Sequence, residues 1–457
     1  MTPPGRSRSA PTDPARQAAF DVMRAVAEDD AYANLVLPGL LRERRLEGRD
    51  AALATELAYG TLRFAGTYDA ILAQCVTRPL DDLDSPVLDV LRLGAHQLLG
   101  MRIPVHAAVS TSVDLTRSRI GRGPTGLVNA VLRKVAGRSL DEWVEVLAPA
   151  ESTDPVERLA LRHAHPDWVA RAFHSALDGD VAELEAVLAA DNVPPTVMLA
   201  VRPGRATVDE LVSMGATPAR WSPFGAALPS GDPGSLAAVR AGRAGVQDEG
   251  SQLVTIALTK VPVEGSDDRW LDMCAGPGGK AALLAGIGTA RGAGLVAAEK
   301  YQHRARLVDR ALAGDPGHHE VLVVDATEPP WPADDFDRVL LDAPCTGLGA
   351  LRRRPEARWR RQPSDVAELV PLQAALLRSA IRSTRPGGVI AYVTCSPHPA
   401  ETSVLVGDVI RGRNDVERID ARPYLPGLSD LGDGPDVQLW PHRHGTDAMY
   451  LCLLRRR

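Results

Sequence analysis

The fold of the larger part of this chain is decided by the stretch Trp270-Leu271-Asp272-Met273-Cys274-Ala275-Gly276-Pro277-Gly278-Gly279-Lys280. It passes from a mostly apolar run into a loop with three glycines and then into a helical pattern. Glycine lets a backbone approach a ligand closely, and the N–H groups at the start of a helix face that ligand. The stretch therefore predicts a strand, a ligand-binding loop and a helix.

Strand and helix patterns alternate from about Gln247 onward. The apolar strand candidates are Trp270–Met273, Gly294–Ala298, Val321–Val324, Val339–Leu341 and Val389–Val393. This alternation predicts a doubly wound, mostly parallel, Rossmann-like α/β domain over 241–457. Ligands bind such sheets beyond the carboxyl ends of the strands, so chemistry is expected in the segments that follow them.

The rest of the chain divides by pattern into three further parts. Spaced apolar residues such as Phe20, Met23 and Val26 predict an all-α bundle over 14–139. Residues 140–240 predict a small connecting α+β subdomain, with a strand near Val197–Val201. Residues 1–13, rich in Pro, Ser and Arg, predict a disordered leader. We therefore expect a multidomain protein.

The composition excludes several classes of protein. An apolar share of 45% and a charged share of 24% are ordinary for a soluble protein, and no apolar run is long enough for a membrane span. The five cysteines are scattered and form no C-x-x-C, which argues against disulfides and a zinc site. With a net charge of -6, any nucleic acid must be bound through local basic patches. We expect a cytoplasmic monomer without metal.

Two acids follow the second and third strand candidates. Glu299 lies about twenty residues past the loop, where a carboxylate can accept hydrogen bonds from both ribose hydroxyls of an adenosine-bearing cofactor. Asp325 is placed to bind the adenine amino group. The loop also fits a loose G-x-G-x-x-[GA] pattern, which does not separate a methyl donor from a nicotinamide cofactor. A dinucleotide-dependent oxidoreductase is therefore an open alternative at this point.

Two cysteines follow the fourth and fifth strand candidates. Cys345 comes after Asp342-Ala343-Pro344, and Cys395 lies in Thr394-Cys395-Ser396-Pro397. Because parallel strands end at one sheet edge, both thiols are predicted to take part in catalysis there. Cys75 and Cys452 fit small buried hydrophobic residues, and Cys274 is expected only to line the glycine loop. An oxidoreductase would have no use for the two strand-end thiols.

Four motifs resemble the Nol/Nop/Sun family of RNA cytosine-C5 methyltransferases. They are Gln247-Asp248-Glu249-Gly250-Ser251-Gln252, the glycine loop, Asp342-Ala343-Pro344-Cys345 and Thr394-Cys395-Ser396. The resemblance implies S-adenosylmethionine as cofactor, bound by Cys274, Ala275, Gly276, Pro277, Gly278, Gly279, Lys280, Glu299, Asp325 and Asp342. Glu299 stands where the family more often has Asp. The resemblance also implies that Cys395 is the nucleophile and that Cys345 promotes release of the methylated RNA.

This chemistry explains why thiols and an acid are needed together. Cytosine C5 is a poor nucleophile, so a thiolate must first add to C6 and make C5 enamine-like. A free thiol is only slightly ionised at neutral pH, and the helix expected near Ala400 would help to activate it. Asp342 is predicted to assist the addition by hydrogen bonding to N3 of the base or protonating it.

The helical part resembles the RNA-binding NusB-like domain. The similarity lies in Arg49-Asp50 through Tyr59-Gly60, Leu91–Ala95 and Val128–Arg133. Its fusion to the methyltransferase resembles the bacterial Sun (Fmu, RsmB) branch, which implies a cytidine of free or early-assembling small-subunit ribosomal RNA as substrate. Another RNA such as tRNA is the nearest alternative. A noncatalytic RNA-binding or antitermination factor is the alternative from another class, and the intact catalytic motifs argue against it.

Two segments bear on how RNA is bound. The basic run after the fourth strand predicts phosphate contacts from Arg352, Arg353, Arg354, Arg358 and Trp359. The family usually has Arg-Val-Asn after a Pro-Pro pair, whereas this chain reads Pro194-Pro195-Thr196-Val197-Met198-Leu199-Ala200-Val201-Arg202-Pro203. The resemblance therefore does not extend to RNA contacts from that middle stretch.

Overall fold

A computed structural model describes residues 13–457, which divide into two compact units. The first unit comprises the chain up to His174, Asp180–Asn192 and Arg353–Arg360, and the remaining residues form the second. The leader predicted over 1–13 lies outside the described residues except for Asp13, which caps the first helix by accepting from Ala15 N at 2.9 Å.

The chain is helical from Pro14 to Ala190, which includes the 14–139 for which the spaced apolar residues predict an all-α bundle and extends beyond it. The helices are α1 (Pro14–Glu28), α2 (Ala33–Glu43), α3 (Gly48–Arg63), α4 (Ala65–Cys75), α5 (Ser85–Ala95), α6 (Val105–Arg119), α7 (Thr125–Val135), α8 (Leu140–Leu147), α9 (Pro155–Arg162), α10 (Asp167–Ala176) and α11 (Val181–Ala190). A turn of π-helix over His96–Gly100 continues α5. Phe20, Met23, Leu57, Leu91 and Leu132 share one buried core, so the predicted all-α bundle is confirmed.

A small antiparallel sheet opens the second unit. Its strands are β1 (Val197–Val201), β2 (Thr217–Pro218), β3 (Gly225–Leu228) and β4 (Ala244–Val246), in the order β2-β3-β1-β4, with helices α12 (Val208–Ser213) and α13 (Ala237–Arg240). This differs from the single connecting subdomain predicted over 140–240. The helices of that stretch pack mainly in the first unit, whereas its strands belong to the second.

The large sheet of the second unit carries the predicted doubly wound fold. Its strands are β5 (Arg269–Asp272), β6 (Gly294–Glu299), β7 (His319–Val323), β8 (Phe336–Asp342), β9 (Thr384–Thr394), β10 (Val416–Ile419), β11 (Val437–Gln438) and β12 (Tyr450–Arg456). The order is β10-β12-β9-β8-β5-β6-β7, with β11 paired to β12. Pairing is parallel from β9 through β7, and β12 pairs antiparallel with β9, β10 and β11. The prediction of a mostly parallel sheet is confirmed.

Helices cover both faces of this sheet. They are α14 (Glu249–Lys260), α15 (Gly279–Thr289), α16 (Gln302–Leu312), α18 (Pro363–Ser383), α19 (Ser403–Ile410) and α20 (Pro441–His444). Helix α17 (Ala357–Arg360) belongs to the first unit instead. Side chains alternate along β8, so Leu340 packs with α14 and α15 while Leu341 packs with α18 and α19. None of the described helices is long and apolar enough to cross a membrane.

The segment Arg353–Arg360 leaves the second unit and packs into the first. Trp359 lies so close to α4 that a Cβ on Gly66 would come within 2.2 Å of its ring. Arg360 donates to the carbonyl oxygens of Val26 and Ala31, each at 2.8 Å. Trp359 and Arg360, at the end of the basic run, therefore pack within the helical unit.

Candidate active site

The loop between β5 and α15 has room only for glycine at two positions. A Cβ on Gly276 would lie 2.3 Å from Glu299 Oε2, and Gly278 adopts a left-handed φ of 109°. The amide of Gly276 donates to Glu299 at 3.2 Å. The backbone thus passes against a carboxylate at the end of β6, next to the open N-terminus of α15. These features fit a cofactor with hydroxyl groups and an anionic end.

The two predicted cofactor acids lie at the ends of adjacent strands, because β6 pairs with β7. Glu299 accepts from Tyr301 N at 3.0 Å as well as from the loop, and its side chain is buried. Asp325 pairs with Lys300 at 2.8 Å, and hydrogen bonds from Lys300 and Thr327 lower the pKa of Asp325 to about 2. Both groups are therefore placed as carboxylate acceptors beyond the sheet.

The two strand-end thiols are brought together by the pairing of β8 with β9. Asp342 at the end of β8 is in register with Val393 on β9, so the segments that follow run side by side. Cys345 Sγ lies 3.4 Å from Cys395 Sγ. Both thiols are partly exposed, whereas Cys75 and Cys452 are buried, as predicted for small hydrophobic residues.

The surroundings of the two thiols favour ionisation of Cys395. Its pKa is lowered first by the hydrogen bond from Cys345 and then by the Lys280 ammonium, against burial and nearby carboxylates. The pKa of Cys345 is raised well above its ordinary value by that same hydrogen bond, by burial and by the charge of Glu401. The expected helix at Ala400 begins only at Ser403, after a short 3₁₀ turn. The Cys395 thiolate is therefore favoured by Cys345 and Lys280, and not by a helix that begins at Ala400.

Lys280 connects the glycine loop to the thiol site. Its Nζ donates to Asp342 Oδ2 at 2.7 Å. Burial lowers the pKa of Lys280, but the Asp342 carboxylate outweighs burial and raises it overall. The lysine is thus a permanent ammonium group between the cofactor loop and the strand end that leads to Cys345.

Asp272, which the sequence analysis did not assign, is the last residue of β5. It is fully buried, and burial raises its pKa to about 7, with repulsion from Asp342 adding to the effect and Lys280 opposing it. The sequence did offer a signal for this residue. Asp272 is an ionisable residue that ends an apolar strand and directly precedes the glycine loop.

A buried hydrogen-bond network braces the segments that carry the two thiols. Glu401 accepts from Thr346 N and from Gln373 Nε2, both at 2.9 Å. Gln373 also donates to Pro344 O at 2.8 Å, and Thr346 Oγ1 lies 3.1 Å from Ser396 Oγ. The network therefore holds the residues immediately before and after Cys345, together with the one after Cys395. Sequence reasoning missed it because α18 supplies one member from a distant part of the chain.

Arg352, the first residue of the predicted RNA-contacting run, is buried within the second unit. It is 8% exposed and donates to Asp447 at 2.7 Å and to Asp248 at 3.1 Å. Two carboxylates neutralise its charge, which corrects the phosphate contact predicted for this residue. Arg352 instead ties the Cys345 segment to Asp248, the N-cap of α14, and to Asp447 in the segment before β12.

The later residues of the run are held within the first unit. Arg358 is 0% exposed and donates to Ala164 O at 2.8 Å and to Asn192 Oδ1 at 2.9 Å. Trp359 Nε1 donates to Leu62 O at 2.9 Å. Both side chains donate to acceptors inside the unit and Arg358 presents no cation to solvent, which corrects its predicted phosphate contact. Among the five residues predicted to contact RNA, Arg353 is half-buried and Arg354 is exposed.

The fold and the site define a Rossmann-like methyltransferase domain with a thiol pair, joined to a NusB-type helical unit. Residues 260–455 match the family described as 16S rRNA methyltransferase RsmB/F, and residues 13–137 match the NusB family. No group of three metal-ligating side chains occurs in the part of the chain that the structure describes.

Relatives that align along the full length give the particular family. The chain is 55% identical to Rv1407 of Mycobacterium tuberculosis strain H37Rv, named as a candidate methyltransferase, over 100% of both chains. It is 32% identical to the ribosomal RNA small subunit methyltransferase B of Pseudomonas putida, over 96% of this chain and 98% of that one. The chain belongs to the RsmB/F family of 16S rRNA methyltransferases, and its cofactor is S-adenosylmethionine.

Solved structures support the fold. The crystal structure of PH0851 has a TM-score of 0.79 at 22% identity and covers 99% of this chain and 100% of its own. NSun6 from Pyrococcus horikoshii, solved with SFG, has a TM-score of 0.54 at 19% identity, covering 64% of this chain and 99% of that protein.

Proposed function

We propose that this chain transfers a methyl group from S-adenosylmethionine to C5 of a cytidine in small-subunit (16S) ribosomal RNA, through a covalent bond between Cys395 and C6. The observation that carries the proposal is the 3.4 Å separation of Cys345 Sγ and Cys395 Sγ beyond the ends of β8 and β9. An exocyclic amine can attack a methyl donor directly, whereas C5 of cytosine needs a thiolate at C6 first. A pair of thiols beside the cofactor loop suits the second case.

The proposed reaction begins at Cys395. Its thiolate adds to C6, forming a C–S bond and moving the electron pair of the C5–C6 double bond onto C5. The cofactor, when bound, would supply a methyl group on a positively charged sulfur. C5 forms the new bond to that methyl carbon while the methyl–sulfur bond breaks and its electron pair stays on the sulfur, which becomes a neutral thioether. The C5 proton then leaves to a base, and the electron pair of the broken C–H bond re-forms the double bond and expels the Cys395 thiolate.

Cys345 is proposed to act in the release half of this sequence. Its raised pKa keeps it a thiol while Cys395 is a thiolate, so the same hydrogen bond that stabilises the nucleophile before addition also stabilises the leaving thiolate afterwards. Because Cys345 stays a thiol throughout this step, the C5 proton is accepted by a water molecule next to it. This role follows the assignment that the family motifs imply.

Asp342 is proposed to act in its protonated form, because N3 of the target base is an acceptor: the carboxyl O–H donates a hydrogen bond to N3 or transfers its proton to it. A proton on N3 makes C6 more electrophilic and stabilises the negative charge that develops on the base as the thiolate adds. The ammonium of Lys280, 2.7 Å away, fixes the orientation of the carboxyl and keeps one of its oxygens occupied. The other oxygen is left to carry the proton that N3 accepts.

The proposed RNA is free or early-assembling small-subunit RNA in the cytoplasm, bound by a monomer. The target cytosine must leave its stack to reach a thiol behind a sheet edge, which costs a few kcal/mol in a duplex and less in a loop. Naked or partly assembled RNA offers unpaired cytidines more readily than a finished subunit.

The proposal is tested by bisulfite sequencing of RNA from a strain that lacks this gene. One cytidine of 16S RNA is expected to lose its protection, and the intact gene or a Cys75→Ala control is expected to restore it, whereas Cys395→Ala is not. If protection is lost in tRNA alone, the substrate is tRNA and not 16S RNA. An unchanged 5-methylcytidine pattern in all RNAs would overturn the proposal.

A further inference from the structure

Arg202 is fixed beside the first turn of α15 by the small sheet. It follows β1, and its backbone N–H donates to Arg243 O at 2.8 Å at the edge shared with β4. The next residue packs against the same helix, since a Cβ on Gly286 would lie 2.7 Å from Pro203 Cδ. The guanidinium reaches the start of that helix, where Nη1 lies 3.4 Å from Gly279 O.

The guanidinium of Arg202 is buried without a counterion. The residue is 7% exposed, its Nε has no hydrogen-bond partner, and no carboxylate of the described residues forms an ion pair with it. Burial, with a further contribution from Arg205, lowers the pKa of Arg202 to about 10, so the side chain is still charged at neutral pH. A buried charge without a partner is costly, and the cost is removed when an anion binds against it.

Two more features converge on the same place. The first amides of α15 follow Gly278 and have no acceptor within the helix, so the positive end of the helix dipole faces the loop. Gln247 lies against that turn, because a Cβ on Gly279 would be 3.6 Å from its Cδ. Gln247 is 6% exposed, and its Oε1 accepts no hydrogen bond among the described residues. Donors for an anion, which are Arg202 and the first amides of α15, therefore lie next to one buried acceptor, Gln247 Oε1.

We propose that Arg202, Gln247 and the first turn of α15 form a subsite for the α-amino acid end of S-adenosylmethionine. Arg202 and the helix amides bind the α-carboxylate, and Gln247 Oε1 accepts from the α-ammonium group. The loop has the matching polarity, since its Gly276 amide contacts Glu299, the acid predicted to bind ribose, while its Gly279 end contacts Arg202. This inference concerns the cofactor alone and holds whichever base is methylated.

An RNA phosphate is the competing anion, and the burial of Arg202 disfavours it. A phosphate within a nucleotide chain carries bulky sugars on both sides and is usually met by exposed basic side chains. A free α-carboxylate is small enough to enter a site in which the guanidinium is 7% exposed. The Glu299 carboxylate at the other end of the loop also suits a nucleoside better than a polyanion.

Calorimetric titration of the full-length protein tests the subsite with two ligands that differ in the amino acid group. S-adenosylhomocysteine carries the group and 5′-methylthioadenosine lacks it. Arg202→Gln is expected to weaken S-adenosylhomocysteine binding by about 10- to 100-fold, the size of one charge-assisted hydrogen bond, and to leave 5′-methylthioadenosine binding unchanged. The matched control is Arg205→Gln, which removes an equal charge three residues later and should change neither affinity.

Three results would overturn the subsite. In the first, Arg202→Gln lowers the affinity for both ligands equally; in the second, it lowers the affinity for neither. In the third, the variant binds a single-stranded RNA oligonucleotide more weakly while its affinity for S-adenosylhomocysteine is unchanged. The ligand-free Arg202→Gln protein is expected to unfold at no lower a temperature than the wild type, because the change removes an unpaired buried charge. If that variant does not fold, Arg202→Lys is used in its place. It must then also lower the affinity for S-adenosylhomocysteine and leave the affinity for 5′-methylthioadenosine unchanged.

Discussion

Cys345 Sγ lies 3.4 Å from Cys395 Sγ, close enough for one thiol to donate a hydrogen bond to the other sulfur. Two groups at this distance do not ionise independently, because the first thiolate is stabilised by the remaining thiol and disfavours a second negative charge. Asp342 disfavours a thiolate at either position, but the Lys280 ammonium favours it at Cys395, whereas Glu401 further raises the pKa of Cys345. The site therefore holds one nucleophile and one proton donor at neutral pH.

Removing each thiol separately should interrupt the reaction at different steps. Cys395→Ala is expected to lower methyl transfer by on the order of a thousand-fold or more, because no covalent bond to C6 can form. Cys345→Ala is expected to accumulate a protein–RNA adduct, since addition proceeds but release is slow. Transfer of a tritiated methyl group to RNA measures the first effect, and denaturing gels of the protein with labelled RNA measure the second. An adduct with Cys395→Ala and none with Cys345→Ala would exchange the two roles.

The reactivity of Cys395 toward iodoacetamide should depend on Lys280. The alkylation rate, followed by mass spectrometry of the peptide that contains Cys395, is expected to rise at a pH below the ordinary thiol value of about 8.5. Lys280→Met should shift that rise to higher pH, because the ammonium stabilises the thiolate. Lys300→Met, which removes an exposed cation paired with Asp325, is the control and should leave the profile unchanged. An identical profile in all three proteins would contradict the assignment.

The sequence was sufficient for whatever follows directly from strand order. Chemistry-bearing residues after β8 and β9 had to meet, because parallel neighbours end at one edge, and Cys345 and Cys395 do so. It was insufficient where a partner comes from elsewhere in the chain. Gln373 on α18 braces the thiol segments. Arg358 donates to Ala164 and Asn192, which lie 194 and 166 residues away in the sequence. Charge patterning alone cannot tell such an arginine from a solvated one.

The buried carboxylate of Glu401 is expected to position the thiols. It accepts from Thr346 and Gln373, and an amide in its place would direct an NH₂ group at one of these donors. Glu401→Gln should lower the rate of methyl transfer by about 10- to 100-fold while S-adenosylhomocysteine affinity stays constant. Glu417→Gln, which breaks an exposed pair with Arg457, is the control. A parallel loss of cofactor affinity would show that the network supports the whole domain instead.

The ionisation of Asp272 should make stability fall as the pH rises. Its pKa is about 7 in the folded protein and near 3.8 when unfolded, so between these values the folded state binds one proton more. The free energy of unfolding therefore decreases across that window, by roughly 4 kcal/mol in full. Asp272→Asn should remove this decrease and be more stable than the wild type at pH 8. Urea unfolding at pH 5 and pH 8 measures it, and parallel losses in both proteins would contradict it.

Arg358 and Arg354 should differ in what they contribute, although they stand four positions apart in one basic run. Arg358→Met leaves the acceptors on Ala164 and Asn192 without a donor inside the helical unit, at an expected cost of about 1–3 kcal/mol in unfolding free energy. Arg354→Met changes an exposed side chain and should cost less than about 0.5 kcal/mol. RNA affinity, measured by filter binding at low salt, should fall for Arg354→Met and stay unchanged for folded Arg358→Met. If Arg358→Met keeps full stability and loses RNA affinity, the basic run contacts RNA through the side chain that this structure buries.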